Sequence, residues 1–144
     1  MIRVLLLAAA VLLLASCTSQ PKPAGSEIHQ LPTENQVSKQ AVANHLLGKP
    51  FMPGGAIAHY KMGATEYDVF AVEFPTATDA AIALANLEGT IKGAKLVRGF
   101  GGYFGADAGR PIFVFPMDRW LGGVIGLPQP EAVQVARTLT ARFK

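Results

Sequence analysis

Residues 56–74 decide the fold, and they read AIAHYKMGATEYDVFAVEF. Apolar side chains recur at every second position on both sides of Gly63. In the second half of the stretch, one side carries Phe70, Val72 and Phe74, and the other side carries Tyr67, Val69, Ala71 and Glu73. A period of two indicates β-strands, and a short glycine-containing connection between two such segments indicates a hairpin. The stretch therefore predicts two antiparallel strands, 56–62 and 66–74.

The segment after this hairpin carries the clearest helix signal in the chain. Thr76 precedes Asp79 by three positions, which is the spacing of a helix N-cap, and Gly89 supplies a stop. The apolar face consists of Ala77, Ala80, Ala81, Leu84 and Leu87. Because alanine side chains are small, this face predicts a close approach of the helix to a sheet.

Further strands are expected at 95–104, 111–115 and 119–127, and Pro128-Gln129-Pro130 is expected to start a final helix. Upstream, Thr33 with Gln36 resembles a capping box and Gly48 a stop, so a peripheral first helix is predicted within 33–48. The order of elements predicts an α+β domain with two layers. The expected sheet is antiparallel and has four to five strands, with the helices on one face.

The first seventeen residues carry a different kind of signal. Arg3 precedes an apolar run from Val4 to Leu14, and small residues follow up to a cysteine, which is the pattern of a secretory signal peptide. Leu14-Ala15-Ser16-Cys17 resembles the lipobox of bacterial lipoproteins. The resemblance implies that Cys17 becomes the first mature residue and carries diacylglycerol and an acylated amine, which would hold the protein on a membrane. No Asp follows Cys17, which by the same resemblance favours the outer membrane, with the domain facing the periplasm.

These signals divide the chain into three parts. Residues 1–16 are the expected signal peptide, residues 17–32 the lipidated cysteine and a tether that is dispensable for folding, and residues 33–144 one domain. From Pro53 onward, the motif Pro-Gly-Gly-x-Ile-Ala-x-Tyr and the Gly-Tyr-rich strands resemble bacterial lipoprotein and secreted domains of unknown function. The formal charge of +3 comes without a dense basic tract, so no nucleic-acid partner is expected.

The positions of the polar residues argue against common catalytic chemistries. Nucleophilic hydrolysis needs a Ser, Cys or Thr beside a base, yet every mature serine lies in the expected tether or first helix, and His59 is the one histidine after Leu47. A Ser-His pair inside the domain is therefore not expected. The single Cys excludes an intramolecular disulfide, and His59 has no partners at metal-ligand spacing. Glu66 and Asp68 are expected on a solvated turn edge. No metal and no cofactor are predicted.

The glycine-rich run 99–105 is the remaining candidate for a site. It lacks the spacing of a phosphate-binding loop, so we expect a bent strand, while the alternative is a ligand-facing strand with Tyr103 and Trp120 as stacking platforms and Arg98 for an anion. The sequence thus predicts a non-catalytic binding or interaction module with a protein partner in the envelope. The alternatives are a binder of a small anionic or glycan ligand, and a carboxylate-based cell-wall enzyme.

Overall fold

The structure, a computed structural model, describes residues 25–143. The expected signal peptide and Cys17 lie outside these residues. The strands are β1 (Gln36–Asn44), β2 (Pro53–Met62), β3 (Thr65–Glu73), β4 (Lys92–Val97), β5 (Gly102–Asp107), β6 (Arg110–Met117) and β7 (Trp120–Ile125). The helices are α1 (Ala77–Glu88), between β3 and β4, and α2 (Gln129–Thr140), after β7.

The hairpin read from residues 56–74 is confirmed. Strands β2 and β3 pair antiparallel, with His59 opposite Asp68 and Tyr60 opposite Tyr67. The alternation sorts the side chains onto two faces, because neighbouring residues of a strand point to opposite sides of the sheet. The rings of Tyr60 and Tyr67 stack on one face with centroids 5.2 Å apart, while Phe70 packs into the other face.

The prediction of a four-to-five-strand, two-layer domain is wrong. The described residues form one seven-stranded antiparallel sheet in the order β1-β2-β3-β7-β6-β5-β4. Helix α1 packs on one face, with Leu84 and Leu87 among Phe70 and Leu121, and α2 packs on the other, with Leu139 in the same cluster as Phe113.

The sheet and the two helices therefore form three layers, and the burial of both faces of the sheet explains the third. The four consecutive residues Ile112–Phe115 of β6 are all buried, so the strand needs apolar cover above and below. Such a continuous apolar run is the usual mark of a strand covered on both faces, which is more common in parallel sheets than in antiparallel ones.

The ends of both long helices agree with the sequence. The Thr76 hydroxyl accepts a hydrogen bond from the backbone N–H of Asp79 at 3.1 Å, which is the predicted N-cap of α1. Helix α2 begins at Gln129, directly after Pro128, with Pro130 in its first turn. Its buried residues are Ala132, Ala136 and Leu139.

The predicted first helix, 33–48, is wrong, because Gln36–Asn44 forms the edge strand β1. Gln36 does not complete a capping box. Its side-chain amide donates to the carbonyl oxygen of Pro32 at 3.0 Å. Most side chains of β1 are exposed, so the strand lacks the strong apolar alternation that marked β2 and β3. Lys39 on this edge, and Lys92 and Lys95 on the opposite edge strand, are the kind of charged residue that discourages pairing with other chains.

Residues 25–32, which we assigned to the tether, pack on the sheet. Leu31 is 1 % exposed and belongs to the apolar cluster beneath α2. The hydroxyl of Tyr60 donates to the carbonyl oxygen of Pro32 at 2.7 Å. Glu27 is buried as well, and its carboxylate accepts from the backbone N–H of Glu73 at 3.3 Å. At least residues 25–32 therefore belong to the folded body and not to a tether.

The expected strand 95–104 is two strands, because the chain turns between β4 and β5. Gly99 and Gly101 have φ of +90° and +69°, a region that glycine enters without steric cost. Gly102 then pairs with Val97, and a Cβ at this position would run into the backbone of Val114 and Phe115 on β6. The glycine run thus serves a turn and a close strand approach, which places Arg98 at the end of the sheet.

Candidate functional site

The three residues predicted to bind a ligand do not come together. Tyr103 packs with the cluster beneath α1. Trp120 belongs to the cluster beneath α2. Arg98 lies in the turn between β4 and β5 and lines a cleft beside α2. The sheet therefore separates Tyr103 from the other two.

Neither aromatic residue is placed as a stacking platform for a ligand at Arg98. Trp120 is 8 % exposed, and its ring meets that of Phe143 edge to face with centroids 5.0 Å apart, so its faces are used within the core. Tyr103 lies near Glu88, and the negative charge of that carboxylate is the largest cause that raises the pKa of the Tyr103 hydroxyl. An acidic neighbour makes this position unfavourable for an anion.

Arg98 instead shares a cleft with Arg137 of α2. The cleft has a volume of about 450 Å³ and runs between the β4–β5 turn and the last turns of α2. Its walls contain Phe100, Val133 and Pro116, and Thr140 also lines it. The lining has no carboxylate. Two arginines and several apolar residues therefore line one space.

Within residues 25–143, no carboxylate is paired with the two arginines of this cleft. Among residues 25–143, Arg110 pairs with Asp68 at 2.9 Å and Arg119 pairs with Glu73 at 2.7 Å. Neither Arg98 nor Arg137 forms an ion pair within the same part of the chain. Arginine is permanently cationic and presents donors in a planar fork that fits carboxylate and phosphate. The cleft can therefore accept an anion, and its apolar wall can contact a hydrocarbon part of the same ligand.

Sequence reasoning found Arg98 but missed Arg137. Arg98 stood out because it precedes the glycine run, whereas Arg137 is 39 positions farther on (137 − 98) and looks like an ordinary exposed residue of a helix. A basic residue in the last turn of a helix usually indicates only interaction with the helix dipole. The pairing depends on how α2 crosses the sheet, so no local signal could have found it.

A second polar cluster lies on the α1 face at the other end of the sheet. His59 Nδ1 lies 2.7 Å from an Asp68 oxygen, and the other oxygen of Asp68 accepts from Arg110 at 2.9 Å. His59 Nε2 lies 4.0 Å from Glu66. Asp68 thereby orients the imidazole of His59.

Ser38 was predicted to lie in a peripheral first helix, away from His59, but it lies on strand β1. A Ser-His pair is therefore not excluded by the position of Ser38 in the sequence. Ser38 of β1 is directly opposite His59 of β2, and both line a pocket of about 210 Å³ together with Asp68. The imidazole is nevertheless turned toward Asp68 and Glu66 on β3, and no hydrogen bond joins it to Ser38. The serine hydroxyl is therefore not held by the base, as an activated nucleophile requires.

An open groove of about 600 Å³ lies between α1 and the loop from β1 to β2. Phe51 and Ile82 line it and are 37 % and 57 % exposed. The same loop holds His45 and Leu47 at φ of +51° and +61°, which is uncommon for residues with a side chain. The groove is a candidate surface for the protein partner expected from the sequence.

Other kinds of site were sought in the same residues. Within 25–143, no group of three or more His, Cys, Asp or Glu residues is arranged to hold a metal ion. None of the described helices is long and apolar enough to cross a membrane. Comparison of the chain with family models, with curated proteins and with solved structures found no match.

Proposed function

We propose that the chain is a lipid-anchored protein of the bacterial envelope that acts as a non-catalytic binding module. The anchor is Cys17, and the binding site is the cleft that holds Arg98 and Arg137. The observation that carries the binding role is that these two arginines line one cleft and have no carboxylate partner among residues 25–143. Two cationic side chains that line one cleft attract an anion.

The anchoring half of the proposal rests on the resemblance of Leu14–Cys17 to a lipobox. Each buried CH₂ of an acyl chain contributes about 0.8 kcal/mol, and stable anchoring takes more than one chain. A triacylated Cys17 would meet that requirement, and the domain would then remain on the membrane surface facing the periplasm. The outer membrane is the proposed location.

Replacing Cys17 tests the anchor. Cys17→Ala is expected to move the protein from the membrane fraction to the soluble periplasmic or secreted fraction, or to leave it with an uncleaved signal, because no acyl chains can attach. The measurement is fractionation with intact mass spectrometry, in which the native protein should carry the added mass of diacylglycerol. Ser16→Ala is a matched control that keeps a small residue before Cys17 and should remain acylated. A native protein without lipid mass would contradict the anchor.

The proposal that the protein is non-catalytic is tested at the pocket beside His59. We expect the wild-type chain and Ser38→Ala to hydrolyse p-nitrophenyl acetate at the same slow rate, because Ser38 has no hydrogen bond to the imidazole. His59→Gln separates background hydrolysis by the imidazole from hydrolysis through the serine. A rate that falls at least about tenfold in Ser38→Ala, as loss of a base-activated nucleophile predicts, would contradict the proposal.

A further inference from the structure

The cleft of Arg98 and Arg137 lies at the end of the sheet where β3 ends. Trp120, the first residue of β7, pairs with Glu73, the last residue of β3, and also with Met117, the last residue of β6. The β4–β5 turn that carries Arg98 lies at this same end, because Gly102 follows it and Tyr103 pairs with Val114 of β6. Helix α2 starts at the opposite end, after β7, so its last turns bring Arg137 to the cleft.

The chain enters the folded body toward the same end. Gly25 packs so closely against Ala41 of β1 and the carbonyl of Gly55 of β2 that no side chain would fit there. These residues lie near the end of β1 and the beginning of β2. Glu27 then contacts the backbone of Glu73, and Pro32 reaches Tyr60 toward the opposite end. Residues 25–32 thus run from the end of the sheet that holds the cleft toward the opposite end.

The number of residues between Cys17 and Gly25 limits how far this end can be from the anchor. Residues 18–24 separate the two. At about 3.3–3.6 Å per residue, the connection spans at most about 30 Å even when fully extended. If Cys17 is embedded in lipid, which rests on the proposed function, then Gly25 stays within that distance of the membrane surface.

We propose that the cleft binds the phosphate of an anionic phospholipid in the membrane that carries the protein. Arg98 and Arg137 hold the phosphate oxygens, and Phe100, Val133 and Pro116 contact the glycerol and the first carbons of the acyl chains. Charge complementarity favours an anionic headgroup over a zwitterionic one, because the lining contains no carboxylate for a choline or ethanolamine group to approach. Such binding fixes the domain with this end of the sheet toward the bilayer.

A lipid is favoured over free phosphate as the source of the anion because the cleft is not only cationic. Apolar residues form much of the wall between the two arginines, and inorganic phosphate has nothing to place against them. Contact of the hydrocarbon part with Phe100 and Val133 is an additional favourable term that only the lipid obtains. The lipid should therefore bind more tightly than its headgroup phosphate alone.

The test uses the whole chain in a neutral detergent, which does not depend on acylation of Cys17. Dihexanoyl phosphatidylglycerol, dihexanoyl phosphatidylcholine and inorganic phosphate are titrated separately, and affinity is read from the rise of the thermal midpoint and from the Nε–H signals of Arg98 and Arg137 in NMR spectra. Phosphatidylglycerol is expected to bind the tightest of the three. Arg98→Ala and Arg137→Ala should each weaken it about tenfold or more, the usual effect of losing a charge-assisted hydrogen bond.

Arg110→Ala is the matched control, since this arginine is exposed like Arg98 and Arg137 but lies at the other end of the sheet in a pair with Asp68. It should leave the affinity for phosphatidylglycerol unchanged. Equal binding of phosphatidylcholine, or equal effects of all three arginine variants, would overturn the proposed site. Inorganic phosphate binding as tightly as phosphatidylglycerol would overturn the lipid as ligand. Failure of the Cys17→Ala test with retained lipid binding would refute the acyl anchor alone.

Discussion

Gly123→Val is expected to abolish stable folding, and Gly123→Ala to lower the free energy of unfolding by more than about 4 kcal/mol, which is exceptional for one methyl group. Gly123 lies in β7 opposite Phe70 of β3, and the nearest atoms to an added Cβ at Gly123 belong to the Phe70 ring. A Cβ at Gly123 would occupy the position of the ring carbons. Phe70 is 0 % exposed and has no free space to turn into, so the added atom strains the centre of the sheet.

Chemical denaturation followed by circular dichroism measures this effect, and Gly89→Ala is the control. Gly89 caps α1 with φ of −61°, and the nearest atom to an added Cβ there is 3.4 Å away. Its substitution should change stability by less than about 1 kcal/mol, because the backbone conformation suits alanine. The double variant Phe70→Leu with Gly123→Ala should recover part of the loss. A Gly123→Ala protein as stable as the wild type would contradict the packing described here.

The parts of the fold that the sequence predicts correctly are those set by neighbours in the chain. The β2–β3 hairpin depends on a period of two around Gly63, and the start of α1 depends on Thr76 and Asp79 three positions apart. Each signal lies within a few residues. Local order of this kind is readable because the interactions that create it are also local.

The third layer and the edge strand were missed because they depend on contacts between distant segments. Ile112–Phe115 is buried on both faces, but the order of elements predicted an antiparallel sheet with one covered face, and the continuous apolar run was not used. Strand β1 is held by its pairing with β2 and buries little, so its sequence carries almost no periodic signal. The capping-box pattern at Thr33 and Gln36 was a local signal without a helix to follow it.

The same reasoning explains the outcome at the candidate site. Arg98 is identifiable because glycines mark the turn that presents it, but its partner in the cleft is chosen by the path of α2 across the sheet. Ser38 and His59 are likewise brought together by strand register, which no spacing in the sequence reveals. The second case shows that a Ser-His pair cannot be excluded by sequence position once an element is assigned wrongly, since a strand places every second residue on the face that it shares with its neighbour.

Leu31→Ala is expected to lower the free energy of unfolding by about 2–5 kcal/mol, the usual cost of removing a buried leucine side chain. Leu31 is 1 % exposed in the cluster beneath α2. This expected loss contradicts the prediction from the sequence that residues 17–32 form a tether that is dispensable for folding.

A larger effect is expected when the segment is removed. A soluble chain that begins at Thr33 loses Leu31 and also Pro32, whose carbonyl accepts from the Tyr60 hydroxyl at 2.7 Å. Without Pro32, the Tyr60 hydroxyl loses the acceptor for its own proton and keeps the hydrogen bond that it accepts from the Gln36 side chain at 3.4 Å. Burial raises the pKa of this hydroxyl, so the lost acceptor lay in a site shielded from water. The thermal midpoint of the chain that begins at Thr33 should fall far below that of a chain beginning at Thr18.

Val37→Ala, at a side chain that is 62 % exposed, is the control and should change stability by less than about 0.5 kcal/mol. Equal thermal midpoints for the two chains would show that residues 25–32 contribute no stability, and the original tether boundary at residue 32 would then be correct.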